Sequence, residues 1–370
     1  MAKQTEILPT VTIGLDYMAG KKQHYIPQAL LRNFGIENAR KKKVQVVVYS
    51  LERGCFTTST EGIAAERFFY SRPAERNISD GTLDDKITRY ESELASKINS
   101  LLTRKPGEDI SPNDAAEVVT HLAFRQKHTR ETLTSAFEQL VDKSSMVLSD
   151  FDQTKQFLGL NEEAPKGALE KILLEFYEEN KFLLTLKGFI NKESFLNYAF
   201  EFSKFNFKTS FDQNAVFFQN VFQQLTEKSK ETAYQGHTTA LGKTLVPKQR
   251  VNFLKSLRWQ TISGLSQGLI LPDCVSVSYS SKTGYIPLMF AGQKIEKIFL
   301  PLSKDCLLIG GRKKIEINVE QLNANFAACS YDFFVASEQN KKFQKLMPKI
   351  RTIPQNQIRQ MVRGALDNSN

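Results

Sequence analysis

The residue best placed for chemistry is His24. It follows Lys21-Lys22-Gln23 and stands just ahead of Pro27-Gln28-Ala29-Leu30-Leu31-Arg32-Asn33-Phe34-Gly35. Leu30, Leu31 and Phe34 fall at helical spacing, Pro27 suits a first helical turn and Gly35 a helix stop, so this run reads as a short helix. A helix start offers free N–H groups and the positive end of a dipole to an anion. An imidazole titrates near neutrality, so His24 with Lys21, Lys22, Gln28 and Arg32 nearby has the makings of a general acid/base acting on a phosphate. The competing reading is that His24 and Gln28 simply tie an N-terminal arm to a sheet by hydrogen bonds.

The other histidines carry less. His121 and His128, seven apart, are expected on one helix with Arg125 a turn after the first. At about 10 Å of axial separation they cannot ligate one metal without a third element. Arg125 precedes His128 too closely for the Arg-then-His pattern of the higher-eukaryote-and-prokaryote nucleotide-binding helical RNases. His237 sits at an expected helix end. There is no HExxH, no paired cysteine, no P-loop frame around Gly310-Gly311-Arg312-Lys313-Lys314 and no nucleophile elbow at Ser263 or Ser303. The residues assign no metal site and name no cofactor.

Charge points to a partner. The 370 residues carry 50 Lys+Arg against 40 Asp+Glu, a formal +10, and the excess is segregated. Residues 1–50 hold eight basic and three acidic groups, 242–272 five and none, 341–370 seven and one. A polyanion-binding surface needs such segregation, because phosphate contacts dominate nucleic-acid affinity. Lys41, Lys42 and Lys43 in the first stretch and Arg250 and Arg258 in the second are the expected contacts, with Lys21, Lys22, Gln28, Arg32 and Arg125. Solvated faces that only aid solubility are the alternative. Four scattered cysteines fit a reducing cytoplasm, and no stretch is apolar enough for a membrane span. RNA or DNA is the expected partner, with self-association or a protein partner left open.

The elements that must position these residues change period twice. Val44–Tyr49 and Cys55–Thr58 read as a β-hairpin. From Leu83 the apolar residues recur at helical spacing to Leu101, and a second helix opens at Ser111-Pro112 and runs past Phe137. Further helices are expected over 167–187, 191–206, 209–235 and 247–265, their many phenylalanines serving as ordinary helix packing. After Gly268 strands return at 269–279, 285–290, 296–300, 306–309, 315–319 and 333–336, with helices at 321–330 and 340–346. The fold class is therefore α+β: one mixed or antiparallel sheet from N- and C-terminal strands with a large inserted helical block. The expected divisions are 1–81 (arm, short helix, hairpin), 82–265 (helical block), 266–340 (β-rich part) and 341–370 (basic tail, helical only in part).

The run His24-Tyr25-Ile26-Pro27-Gln28 followed by Leu30-Leu31-Arg32-Asn33-Phe34 resembles a bacterial family, domain of unknown function four-two-three-eight. Glu66 with Phe69-Tyr70, Tyr90-Glu91, His121 to Arg125, Leu300-Pro301-Leu302-Ser303 and Leu322-Asn323 resemble its later motifs, so the likeness spans nearly the whole chain. Where the family shows Ser-Asp-Asn-Pro this chain has Pro272-Asp273-Cys274-Val275, keeping the acid and losing its neighbours. The resemblance implies recurring polar positions at His24, Gln28, Arg32, Asn33, Glu66, Arg125 and Asp273, and no activity. In the expected sheet Glu66 and Asp273 approach His24, which makes the three a candidate nuclease centre in a defence effector, or a buried polar network that orders the fold.

Overall fold

The computed structural model describes residues 22–39, 42–70, 83–105, 108–187, 191–312 and 317–367. The arm 1–20, Lys21, Lys41, the Asn77–Gly81 turn, the Pro106-Gly107 stop and Lys313-Lys314 lie outside these ranges.

The N-terminal run forms as its spacing demands. A strand, β1 (Lys22–His24), leads through Pro27 into α1 (Gln28–Arg32), whose Leu30 and Leu31 are fully buried with Phe34. A Cβ on Gly35 would lie 2.2 Å from a Val44 methyl and 2.9 Å from the Gln45 carbonyl, so only glycine lets the chain pass here. β2 (Ile36–Asn38), β3 (Lys43–Ser50) and β4 (Gly54–Ser59) then form an antiparallel meander, and β5 (Ala65–Arg67) returns to pair with β1.

The helical block starts with α2 (Leu83–Leu102) and α3 (Pro112–Phe124), the latter capped by the Ser111 hydroxyl accepting from the Asp114 N–H. One helix from Ser111 past Phe137 does not form. The backbone is extended at Gln126 (φ −72°, ψ 142°) and α4 (Lys127–Ser149) starts afresh, so His121 and His128 lie on different helices. The break lets Arg125 and Gln126 turn into the core, where Gln126 donates to the Tyr25 and Leu122 carbonyls. Next come α5 (Phe151–Phe157), α6 (Gly167–Leu186) and α7 (Lys192–Lys243). α7 replaces two expected helices because nothing between 206 and 209 breaks it; at 52 residues it is about 78 Å long. Phe195 and Phe200 are buried, as helix packing requires, but Phe182, Phe202, Phe205 and Phe217 are exposed. Two paired helices cover only one face of each other, so the packing expectation holds for one stripe alone.

The stretch 247–265 is helical only over α8 (Lys248–Leu254); Trp259, Thr261 and Ile262, all strand formers, belong to β6 (Arg258–Ile262). The run 269–279 is also divided. β7 (Leu271–Pro272) and β8 (Val277–Ser280) are separated by a loop in which Val275 takes φ 60°. After it come β9 (Gly284–Pro287), β10 (Lys297–Pro301), β11 (Leu307–Gly311), α9 (Val319–Cys329), β12 (Phe333–Ala336), α10 (Lys341–Gln344) and α11 (Thr352–Asp367). The basic tail is thus more helical than expected.

The chain is α+β, with the helices inserted between N-terminal and C-terminal strands. β3 sits between β4 and β12, and β7 adds beyond β12, so strands from both ends share a sheet. The remaining C-terminal strands form a second antiparallel sheet, β6-β11-β10-β8-β9, instead of extending the first. The 273–276 loop is the cause: it sends the two halves of one apolar run to different sheets.

Candidate functional site

His24 closes β1 with its ring half-buried at the surface. Its Nε2 lies 3.3 Å from the Thr60 carbonyl, which can only accept, so that contact puts the ring proton on Nε2 and the lone pair on Nδ1. Burial lowers the ring's pKa from its ordinary value, against the Thr60 contact and Glu91, so the imidazole is neutral at pH 7. Gln28 Nε2 lies 3.4 Å from the same nitrogen, a contact between two donors in this tautomer and so not a hydrogen bond, and Arg32 Nη2 donates to Gln28 Oε1 at 3.0 Å. Gln28 and Arg32, four apart on α1, thus stand beside the His24 ring at the end of β1. Lys22 is exposed at the start of β1, and Lys43 is exposed and paired with Glu61 at 2.5 Å. Arg32 and His24 both act on the Glu61 carboxyl, so these groups share one neighbourhood. Lys42 is exposed in the β2–β3 turn.

Behind this surface lies a fully buried cation. Arg125 donates from Nε to the Tyr70 hydroxyl at 3.0 Å and from Nη2 to Glu91 at 2.8 Å. Nη2 also donates to the His24 carbonyl, which accepts from the Tyr70 hydroxyl at 3.1 Å too. His121 Nε2 sits 3.3 Å from Nη1, while its Nδ1 contacts the Leu245 carbonyl at 3.0 Å. Arg125 is therefore enclosed, out of reach of any large ligand, and orders the ribbon that carries His24.

Glu66 and Asp273 are not brought to the imidazole. In the β1–β5 pairing His24 faces Ala65 and Gln23 faces Glu66. Side chains alternate along a strand, so Glu66 projects from the ribbon face opposite His24. It pairs with Lys127 at 2.6 Å, and Lys127 also lies 3.7 Å from Glu131 and 3.9 Å from Asp332. Asp273 is buried, and its carboxylate accepts from the N–H groups of Tyr331 (2.8 Å), Asp332 (2.6 Å) and Phe333 (3.1 Å). Burial and then Asp332 push its pKa up to about 7 against those donors. Its place is the corner between β7 and β12.

The basic segments are divided too. Arg250 turns inward, donating to the Leu288 and Ala291 carbonyls at 2.8 and 2.9 Å. Arg258 is exposed on β6 of the second sheet, opposite Gly311. In the tail Arg351 is bound to Asp332 at 2.7 Å. Of the expected contacts, Lys22, Arg32, Lys42 and Lys43 are exposed and His24 and Gln28 half-buried. Sequence spacing missed Lys127 and the enclosure of Arg125 by Glu91, Tyr70 and His121, since both depend on contacts distant in the chain. The helix-spaced pair His121 and Arg125 was the one local signal.

Among the described residues no group of three His, Cys, Asp or Glu side chains is arranged to hold a metal ion, and no helix is long and apolar enough to cross a membrane. Other motif residues hold the frame. Asn33 donates to the Leu302 carbonyl at 3.0 Å, docking α1 on the Pro301-Leu302-Ser303 turn, and Asn323 brackets Gly268 and Ile270. Comparisons with curated proteins and with solved structures returned no match. A family model does match, over residues 22–370, and with the whole described frame inside that match the chain belongs to the family described as a protein of unknown function, DUF4238.

Proposed function

We propose that this protein engages nucleic acid along the surface bearing Lys22, His24, Gln28, Arg32, Lys42 and Lys43, and that His24 acts on a bound phosphodiester. The observation that carries the reading is the placement of Arg32 and Gln28 beside a neutral, half-buried His24, whose donation to the Thr60 carbonyl leaves the lone pair on Nδ1. Arg32 would bind a phosphate oxygen while Nδ1 takes a proton. With Glu66 and Asp273 committed elsewhere, His24 works without a carboxylate partner. RNA suits such a lone base best, since its own 2′-hydroxyl is the nucleophile. The ring accepts the 2′ proton, the 2′-oxygen bonds to phosphorus, the bond to the 5′-oxygen breaks, and that oxygen leaves with a proton returned from the imidazolium. A role in defence against phage fits such cleavage.

The test is incubation of the purified protein with labelled RNA and DNA of one sequence, with and without divalent metal. Cleavage of RNA to a cyclic phosphate, lost in His24→Ala with binding retained, supports the reading. Binding with no cleavage under any condition leaves a non-catalytic polyanion-binding module, the second reading, which the Lys22–Lys43 surface alone would explain. Binding indifferent to salt between low and physiological ionic strength overturns both.

A further inference from the structure

A cavity of about 220 Å³ lies between α3, the start of α8 and the 3-10 turn Leu288–Phe290, and none of the residues of the His24 surface lines it. Its walls are largely apolar, with Ala123 and Phe124 on one side and Leu288 and Met289 on the other. One group in this lining is out of keeping with an empty apolar hole. Arg250 presents a guanidinium with five N–H donors, of which the Leu288 and Ala291 carbonyls take two. Among the described residues no carboxylate pairs with it, and burial lowers its proton affinity. A cation drawn partly out of water without a counter-charge is a cost that an anionic guest would relieve.

We propose that this cavity is a binding site for a small monocarboxylate with a compact apolar body, the carboxylate on the remaining N–H donors of Arg250 and the body against Ala123, Phe124 and Met289. Size fixes the class: an apolar cavity of about 150 Å³ accepts benzene, so this one has room for a ring or short chain of the bulk of benzoate or hexanoate. The planar guanidinium favours a carboxylate through paired N–H donors. The site is separate from the proposed nucleic-acid surface and survives the failure of that proposal.

The experiment is calorimetric titration of the full chain with benzoate and hexanoate, with benzyl alcohol and inorganic phosphate as probes lacking the charge and the body. Saturable binding of either carboxylate is expected, with benzyl alcohol roughly tenfold weaker or worse and phosphate silent. Arg250→Met should weaken benzoate by roughly tenfold or more. Ala123→Leu, which fills the cavity and leaves both carbonyl partners of Arg250 satisfied, should abolish binding with an unchanged circular dichroism spectrum. No saturable binding of either carboxylate to the wild type, or benzoate binding equal in wild type and Ala123→Leu, overturns the proposal.

Discussion

Arg125 holds His24 by its backbone: the guanidinium donates to the His24 carbonyl, and the Tyr70 hydroxyl, itself accepting from Arg125 Nε, donates to the same oxygen. The ring that faces solvent and the carbonyl that fixes it are thus served by different partners. Removing the imidazole leaves its mount in place, whereas removing Arg125 dismantles the mount.

Arg125→Ala should therefore be among the most damaging substitutions in the chain. It strands Glu91, the Tyr70 hydroxyl, the His24 carbonyl and His121 around a void. The Glu91 side chain is 37% exposed and can be rehydrated, so the cost is the void left by a fully buried side chain plus the lost donors to Tyr70 and the His24 carbonyl, about 2–5 kcal/mol in all. Urea unfolding should show that loss or no folded protein at all. A cost under about 1 kcal/mol would show that the enclosure is not what orders β1.

His24→Ala should behave differently. The ring's contacts are two long ones at a half-buried position, to Thr60 and Gln28, so the stability cost should stay near 1 kcal/mol. Any RNA cleavage should fall to background while binding drops little, because Lys22 and Arg32 are untouched. Cleavage that survives His24→Ala would remove the imidazole from the chemistry.

These outcomes depend on features of unequal legibility in the sequence. The helix of Leu83–Leu102 and the strand Phe333–Ala336 were plain from apolar period alone, and the short helix after His24 from Pro27 and Gly35. The break between α3 and α4 was not, because Arg125-Gln126 contains no helix breaker; tertiary hydrogen bonds to Tyr25, Tyr70 and His24 pull the chain out of register there. The grouping of His24 with Glu66 turned on parity. A strand pairing that matches Gln23 with Glu66 puts the acid on the far face, and a one-residue shift of register, invisible in the sequence, decides between a dyad and no contact. Asp273 was singled out as a candidate partner of His24, but three N–H donors some sixty positions later claim it.

Acid should unfold this protein steeply. Burial lowers His121 and His128 to about 3 and His237 to about 4. Each folded value lies below the unfolded one of 6.5, so the stability they contribute is complete above that pH and is lost as pH falls toward the folded values. Asp273 works the other way, its folded carboxyl at about 7 binding a proton before the unfolded chain does. Near pH 5 three histidines outweigh one aspartate, so the unfolded chain binds about two more protons and stability should fall by roughly 3 kcal/mol per pH unit. Urea titrations between pH 6 and 5 measure this slope directly, and a flat profile would mean that the histidines are reached by solvent.

Asp273→Asn separates the two influences on that carboxyl. An amide offers one acceptor oxygen where the carboxylate offers two, so at least one of the Tyr331, Asp332 and Phe333 N–H groups loses its partner, at a cost of about 1–3 kcal/mol. The pH dependence of that cost is the sharper readout. Because the folded pKa lies above the unfolded value, the wild type gains stability from protonating Asp273 at low pH and loses that gain as pH rises through about 7. The asparagine variant has no such contribution, so its deficit relative to wild type should be larger at pH 5 than at pH 8. Were the three N–H donors to outweigh burial and hold the group ionised well below neutrality, the deficit would instead be as large at pH 8 as at pH 5. Paired unfolding curves of the two proteins at those pH values decide which force governs the corner between β7 and β12.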